Sequence, residues 1–126
     1  VSFHRASVPG RAAVAASWAT YNSTVPSFLV HYTNMTWSQP AQQTLLQMTG
    51  APTPLIPVNN GTASWAIIWA GQPTGPQLAS STLPFTKFLV VSVSDAVGDG
   101  VIRFTSTAFT TLVAVPVLDA SMASFI

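Results

Sequence analysis

The sequence predicts an all-β domain, an antiparallel β-sandwich or jelly roll, on three observations. Ten prolines and seven glycines divide the 126 residues into short segments. Hydrophobic residues in those segments alternate with period two, which is typical of strands. The chain also has 14 serines and 15 threonines, and threonine favours strands. A chain of this length forms one compact core, so we expect a single β-sandwich domain over residues 1–126.

The first long segment has two possible conformations. Residues 11–20 are rich in alanine, which favours a helix, and Pro9-Gly10 ahead of them indicates a turn. Val14 and Trp18 lie four residues apart, but two positions make a weak helical pattern. We therefore predict a strand here, with the helix as the alternative.

Residues 27–37 show the alternation of a strand. Phe28 and Val30 point to one side, and Leu29 and His31 point to the other. Because bulky side chains lie on both sides, we expect this strand to be covered on each face.

Three other stretches carry weaker signals. Residues 42–48 fit a short strand or a helical turn. Residues 51–57 include three prolines, which cannot donate ladder hydrogen bonds, so this run is predicted to be an extended crossover followed by a turn at residues 59–61. The last segment, residues 111–118, contains a proline, which places its end at a sheet edge.

The next strand, residues 62–70, has one bulky face. Trp65, Ile67 and Trp69 share that face, and smaller residues occupy most of the other. A loop follows at residues 71–76, where glycines and prolines are frequent.

Residues 85–94 and 100–109 make the clearest strand pair. Asp95, Asp99 and two glycines lie in their connection, where a tight reversal needs positive φ angles. The sequence therefore predicts a β-hairpin.

Charge is scarce along the whole chain. Four basic and three acidic residues give a formal net charge of +1, and charged residues make up 6% of the total. So few charges exclude a basic surface for nucleic acid and a disordered charged tail. The apolar stretches have the length of strands, so no membrane span is expected. A nearly neutral, hydroxyl-rich surface suits association with copies of the chain, although it is equally what a β-rich domain requires.

The titratable side chains make a poor catalytic set. A Ser-His-Asp hydrolase would need His31 beside a serine and an aspartate, and the sequence has no nucleophile elbow. We interpret His31 as a partly buried strand residue and expect His4 to be exposed. Asp95 and Asp99 share one turn, which explains both without a glycosidase-type pair. No catalytic residue is predicted, and we expect no enzyme.

The same two aspartates are the candidates for a metal site. Asp95 and Asp99 present oxygen ligands that calcium accepts, but the spacing of an EF-hand and its terminal glutamate are missing. Two histidines without a cysteine give no zinc motif. We therefore predict no metal and no cofactor, with calcium as the alternative.

The tryptophans are candidates for a binding surface or an interface. Trp37, Trp65 and Trp69 could form a platform for sugar rings, whereas the spacing of Trp65 and Trp69 is simpler to explain as core or subunit interface. Tyr32 joins these three as a binding or interface candidate. Asn22, Asn34 and Asn60 each begin an N-glycosylation sequon.

The strand pattern resembles that of coat proteins from small non-enveloped RNA viruses. The likeness lies in residues 85–94, the turn at residues 95–100 and the threonine-rich residues 101–107, which look like the closing hairpin of such domains. It covers 23 of the 126 residues. A shell domain of that family is longer and follows a basic arm, so this chain looks more like a protruding domain of a nodavirus-like or tombusvirus-like particle.

That resemblance implies a structural role on the virion surface. It implies a fragment of a larger capsid protein that forms dimers or trimers, contacts other capsid subunits and attaches to a host receptor or glycan. It carries no site residues over to this chain. The alternative is a secreted or cell-surface β-sandwich that binds carbohydrate or another ligand, as a lectin or adhesin does.

Overall fold

The computed structural model describes residues 1–31, 37–38, 46–48, 58–71, 75–95, 100–104, 107–111 and 121–122. These residues form ten short strands, two short α-helices and one 3₁₀ turn at Trp18–Thr20. The strands are β1 (Ser2–His4), β2 (Phe28–His31), β3 (Trp37–Ser38), β4 (Leu46–Met48), β5 (Gly61–Thr62), β6 (Trp65–Trp69), β7 (Phe88–Asp95), β8 (Ile102–Phe104), β9 (Ala108–Phe109) and β10 (Ser121–Met122), and the helices are α1 (Arg11–Ala16) and α2 (Gly75–Leu78).

The strands form three sheets. The largest has the order β2-β1-β6-β7-β8, a three-stranded sheet has the order β10-β4-β3, and β5 pairs with β9. Every pairing is antiparallel except that of β7 with β8. The predicted all-β class is therefore confirmed. Within the described ranges, no helix is long and apolar enough to cross a membrane.

Strand β6 lies at the centre of the five-stranded sheet and is apolar on both faces. Trp65 and Ile67 belong to one hydrophobic cluster, and Ala66 belongs to a second cluster on the opposite face. This is the division that the period-two alternation predicts. A strand with two apolar faces needs a covering layer on each, and the structure supplies two different ones.

Helical segments cover the face that carries Trp65, and here the predicted strand at residues 11–20 is wrong. Residues Arg11–Ala16 form α1, which begins after Gly10. Val14 and Trp18 both turn onto the sheet and are buried. Val14 lies in α1 and Trp18 in the 3₁₀ turn that follows, and both join one hydrophobic cluster, so tertiary packing supports the conformation that the alanines already favour.

Strands cover the opposite face. Phe109 of the β5–β9 pair packs on Phe3 of β1, with ring centroids 6.2 Å apart and planes 19° apart. Strand β10 of the three-stranded sheet contacts β8. The central sheet is thus covered by helical segments on one side and by strands on the other.

The predicted hairpin at residues 85–109 is wrong. Val93 pairs with Ile102 and Asp95 with Phe104 in a parallel register. The hydroxyl oxygens of Ser94 and Ser92 accept hydrogen bonds from the backbone N–H groups of Gly100 and Val101, at 2.8 and 3.1 Å. The hydroxyl groups of these two serines therefore bind the segment just before β8 and place it beside β7. In a hairpin, backbone carbonyls would have accepted these hydrogen bonds.

Other predicted elements are partly confirmed. Residues 28–31 form β2, and Phe28, Leu29 and Val30 are all buried, as expected of a strand covered on both faces. Leu46–Met48 is a strand, which decides between the two readings of that segment. The loop predicted at residues 71–76 gives way to α2 from Gly75. The crossover at residues 51–57 and the segment at residues 112–118 lie outside the described residues.

Gly100 tests the close approach of the backbone before β8 to the end of β7. A Cβ atom at Gly100 would lie 2.4 Å from the backbone nitrogen of Ser94. Since that neighbour is backbone, we expect Gly100→Ala to lower the free energy of unfolding by about 2 kcal/mol or more. Urea denaturation measures the change.

Gly10→Ala is the matched control. A Cβ atom at Gly10 would meet nothing within 4 Å, and its backbone is extended with φ at −74°. We expect it to change the free energy of unfolding by less than about 1 kcal/mol. Equal effects of the two substitutions would contradict the close approach of β8 to β7.

Candidate functional site

A shallow groove lies where β6 ends, where β7 begins and where α1 starts. It has a volume of about 540 Å³. Its lining combines aliphatic and aromatic side chains with two of the four basic residues of the chain: Arg11, Ile68, Trp69, Ala70, Thr86, Lys87, Phe88 and Leu89. None of the described residues in this lining carries a carboxylate, so among them the groove has a positive rim above an apolar floor.

Arg11 is held against the edge of β7. Its Nε donates to the carbonyl of Phe88 at 3.2 Å, and a terminal nitrogen donates to the carbonyl of Thr86 at 3.5 Å. The guanidinium carbon also lies 4.3 Å from the centre of the Phe88 ring, which is within the range of a cation–π contact. Helix α1 is thereby attached to the central sheet.

The alternation of β7 explains why those carbonyls are available. The carbonyl of Lys87 accepts the backbone N–H of Ala70 on the β6 side. The carbonyls of the residues before and after it, Thr86 and Phe88, therefore point to the opposite edge. Arg11 covers that edge with charge, which is a common protection against unwanted strand pairing.

Trp69 lies half-buried in the groove wall. Its ring stacks on Phe85 with centroids 4.9 Å and planes 5° apart, and it contacts His31 at 5.4 Å. Phe85 therefore covers one face of the indole. That arrangement gives Trp69 a structural contact in addition to its place in the groove, and it leaves less open ring surface than a sugar platform needs.

Trp65 is not available as a binding platform. It is 1% exposed, and its Nε1 donates to the carbonyl of Arg5 at 3.0 Å. The interpretation of Trp65 as a core residue agrees with this position. Trp37 lies in β3, paired with Met48, and Tyr32 lies outside the described residues.

His31 does not form a catalytic arrangement with the groove. Its ring is half-buried against Trp69, and burial lowers its pKa to about 4, so the ring is neutral near pH 7. Within the part of the chain that the structure describes, no hydrogen bond joins His31 to a serine or an aspartate.

His4 has a side chain of a type that is often used in catalysis and binding, and its burial was not predicted from the sequence. The expectation that it is exposed is wrong: it is 0% exposed and lies in β1. Its ring stacks on Trp65 with centroids 4.0 Å and planes 11° apart, and its Nε2 is 2.8 Å from the hydroxyl oxygen of Ser2. Burial lowers its pKa to about 3. The alternation of Ser2, Phe3 and His4 was the available signal for a strand here.

The candidate metal ligands are not brought together in the described residues. Asp95 ends β7 and is exposed, and Asp99 lies outside the described residues. Among the described residues, no three histidine, cysteine or acidic side chains are grouped closely enough to hold a metal ion. The prediction of no metal and its alternative, calcium at Asp95 and Asp99, both stay untested.

The sequon residues have different environments. Asn22 is buried, its Nδ2 donates to the carbonyls of Ala79 and Ser80, and its Oδ1 accepts from Thr24. The folded protein therefore has no room for a glycan at Asn22. Asn60 is exposed, and its Oδ1 accepts the backbone N–H of Thr111 at 2.7 Å. Asn34 lies outside the described residues.

No protein-family model, no curated protein and no solved structure matches this chain. The residues that line the groove are therefore the available indication of what it binds.

Substitution of the two groove cations separates a structural role from a ligand-facing one. We expect Arg11→Met to lower the free energy of unfolding by about 1–2 kcal/mol, because it removes bonds to two carbonyls and the contact with Phe88. Lys87→Met removes only an exposed charge, so we expect a change within about 0.5 kcal/mol. Urea denaturation compares the two, and equal losses would show that Arg11 does not anchor α1.

Proposed function

We propose that this chain is a non-catalytic structural domain that associates with copies of itself. The observation that carries the proposal is the scarcity of surface charge: two exposed copies with a formal net charge of +1 repel each other little. The finer form of the proposal is a protruding domain of the coat protein of a small non-enveloped RNA virus. Its place is then the virion surface, where it binds other capsid subunits and a host receptor.

The same proposal includes a β-sandwich architecture. The β5–β9 pair and the sheet β10-β4-β3 form its second layer, over the face that carries Ala66. The stacking of Phe109 on Phe3 and the contact of β10 with β8 support this layer. The helical cover on the other face is an addition that a jelly-roll plan does not require.

The capsid identity draws its support from composition and strand content. The likeness to a closing hairpin at residues 85–107 does not support it, because β7 and β8 pair in parallel. The low charge, the many hydroxyl side chains and the antiparallel sheets remain consistent with a coat-protein domain.

The best surface for self-association lies at the groove end of the sheet. Leu89 is 39% exposed and pairs across the strands with Ile68, which is partly exposed. The central faces of β6 do not serve, because Trp65 and Ala66 are buried within the chain itself. An apolar pair at the end of a covered sheet can be buried by a second copy without any rearrangement of the core.

Light scattering after size exclusion tests self-association. We expect the protein to form dimers or trimers at about 100 µM, and Leu89→Lys to shift it toward monomer, because a charge then enters the apolar contact. Val58→Lys is the control, since Val58 is also an exposed hydrophobic residue but lies beside β2. A monomer at every concentration, both alone and within a longer parent protein, would overturn the proposal.

A second candidate function is ligand binding in the groove. Arg11 and Lys87 without a lining carboxylate favour an acidic ligand, for example a sugar with a carboxylate group, over a neutral one. This corresponds to the alternative of a carbohydrate-binding module. The partly covered ring of Trp69 favours recognition by charge more than by stacking.

An array of acidic and neutral glycans tests this second function. We expect acidic glycans alone to bind, with the signal reduced about tenfold by Lys87→Gln and by raising the salt from about 0.05 to 0.5 M, and restored by Lys87→Arg. Binding of neutral glycans, or a signal indifferent to Lys87, would rule out the groove as the site.

A further inference from the structure

The imidazole of His4 lies inside an aromatic box in the central sheet, where β1 ends beside the beginning of β6. Trp65 stacks on it in parallel at 4.0 Å, and Phe28 meets it edge-on at 5.2 Å. Ser2 makes a hydrogen bond to its Nε2, and its buried Nδ1 has no hydrogen-bond partner among the described residues. The box therefore accommodates a neutral ring with one polar contact.

The described residues packed around His4 supply no negative charge, and the face of Trp65 offers an imidazolium a cation–π contact alone. The titratable groups nearby are His31, whose backbone pairs with Ser2, and Tyr21, whose ring meets Trp65 edge-on. The α-amino group of Val1 precedes β1, and burial lowers its pKa to about 5. Arg5 follows His4 in sequence and is itself positive. No carboxylate is among these neighbours, and the described aspartate, Asp95, lies on β7, two strands away. An imidazolium in the box would therefore be buried without a counter-charge.

Strand β1, which carries His4, joins β2 to the rest of the central sheet. Only three residues long, β1 pairs with β2 on one side and with β6 on the other. In the described five-stranded sheet it is the one connection between β2 and the remaining strands. Loss of β1 would separate β2 from that sheet and uncover the Trp65 face.

We propose that His4 is an acid-sensitive latch, whose protonation expels the ring from its box, releases β1 and opens the domain. The neutral ring closes the latch, because it can stay buried without a counter-charge while the stack on Trp65 and the hydrogen bond to Ser2 hold it in place. The charged ring opens it, because water solvates the imidazolium and the box does not.

The proton balance gives the pH range. Burial lowers the pKa of His4 from 6.5 to about 3 in the closed state, whereas the ring keeps its ordinary value when it is released. Between those limits the open state binds more protons, so the closed state is fully favoured above about pH 6.5 and loses stability as the pH falls toward 3. Each pH unit within the range shifts the ratio of open to closed forms about tenfold toward the open form.

Hydrogen exchange between pH 6.5 and 4.5 tests the latch. After correction for the intrinsic exchange rate, we expect the open fraction reported by the β1 amides to rise at least about 50-fold over these two units, since the released ring is already half protonated at pH 6.5. His4→Gln should lower that rise by about 50-fold, since glutamine does not titrate and can still bond Ser2. His31→Gln is the control: it removes the other histidine whose pKa burial lowers, and it should retain the roughly 50-fold rise that His4 contributes. A wild-type open fraction unchanged by pH would overturn the latch.

A measurement on the unmodified protein keeps the proposal testable if His4→Gln does not fold. The NMR signal of the His4 ring should remain that of a neutral imidazole until the domain opens. Titration of this ring near pH 6.5 with β1 still paired would overturn the latch, because it would show that the box tolerates the charge. The latch does not depend on self-association, which light scattering tests independently.

Discussion

The structure depends on one constraint, namely that strand β6 is apolar on both faces. Trp65 and Ile67 face one side and Ala66 faces the other, so water must be excluded from both sides of the sheet at once. Helical segments with Val14 and Trp18 satisfy the first requirement. Phe109 and the strand layer satisfy the second. The position of β1 follows from the same constraint, because Phe3 and His4 continue the two faces next to β6.

A second constraint is the lack of charge, which leaves polar contacts to hydroxyl and amide side chains. Ser92 and Ser94 accept the N–H groups that open β8, Asn59 donates to the carbonyl of Phe28, and Asn22 holds the carbonyls near residue 80. These neutral groups satisfy backbone partners where the chain turns. Among the few basic side chains, Arg11 has a defined structural role, because its hydrogen bond to the carbonyl of Phe88 holds α1 against the edge of β7.

The candidate site follows from the way the two layers end. At the far end of β6 the covering layers stop, so Trp69 is half-buried and Leu89 is exposed. Arg11 and Lys87 meet there because α1 starts beside the beginning of β7. At the opposite end of the same strand, cover is complete and His4 is enclosed against Trp65. The groove that carries Arg11 and Lys87 and the aromatic box around His4 thus lie at the two ends of one central strand.

Sequence alone determined the strand class and the two faces of β6, because alternation with period two is a local property of the chain. It could indicate Trp65 as a core residue for the same reason. Tertiary structure decided the conformation of residues 11–20, since the burial of Val14 and Trp18 stabilises a short helix and the turn after it only when a sheet lies beneath them. It also decided the parallel pairing of β8, the burial of His4 and the placement of Arg11 and Lys87 in one groove. Each of these depends on residues far apart in sequence, which no local pattern brings together.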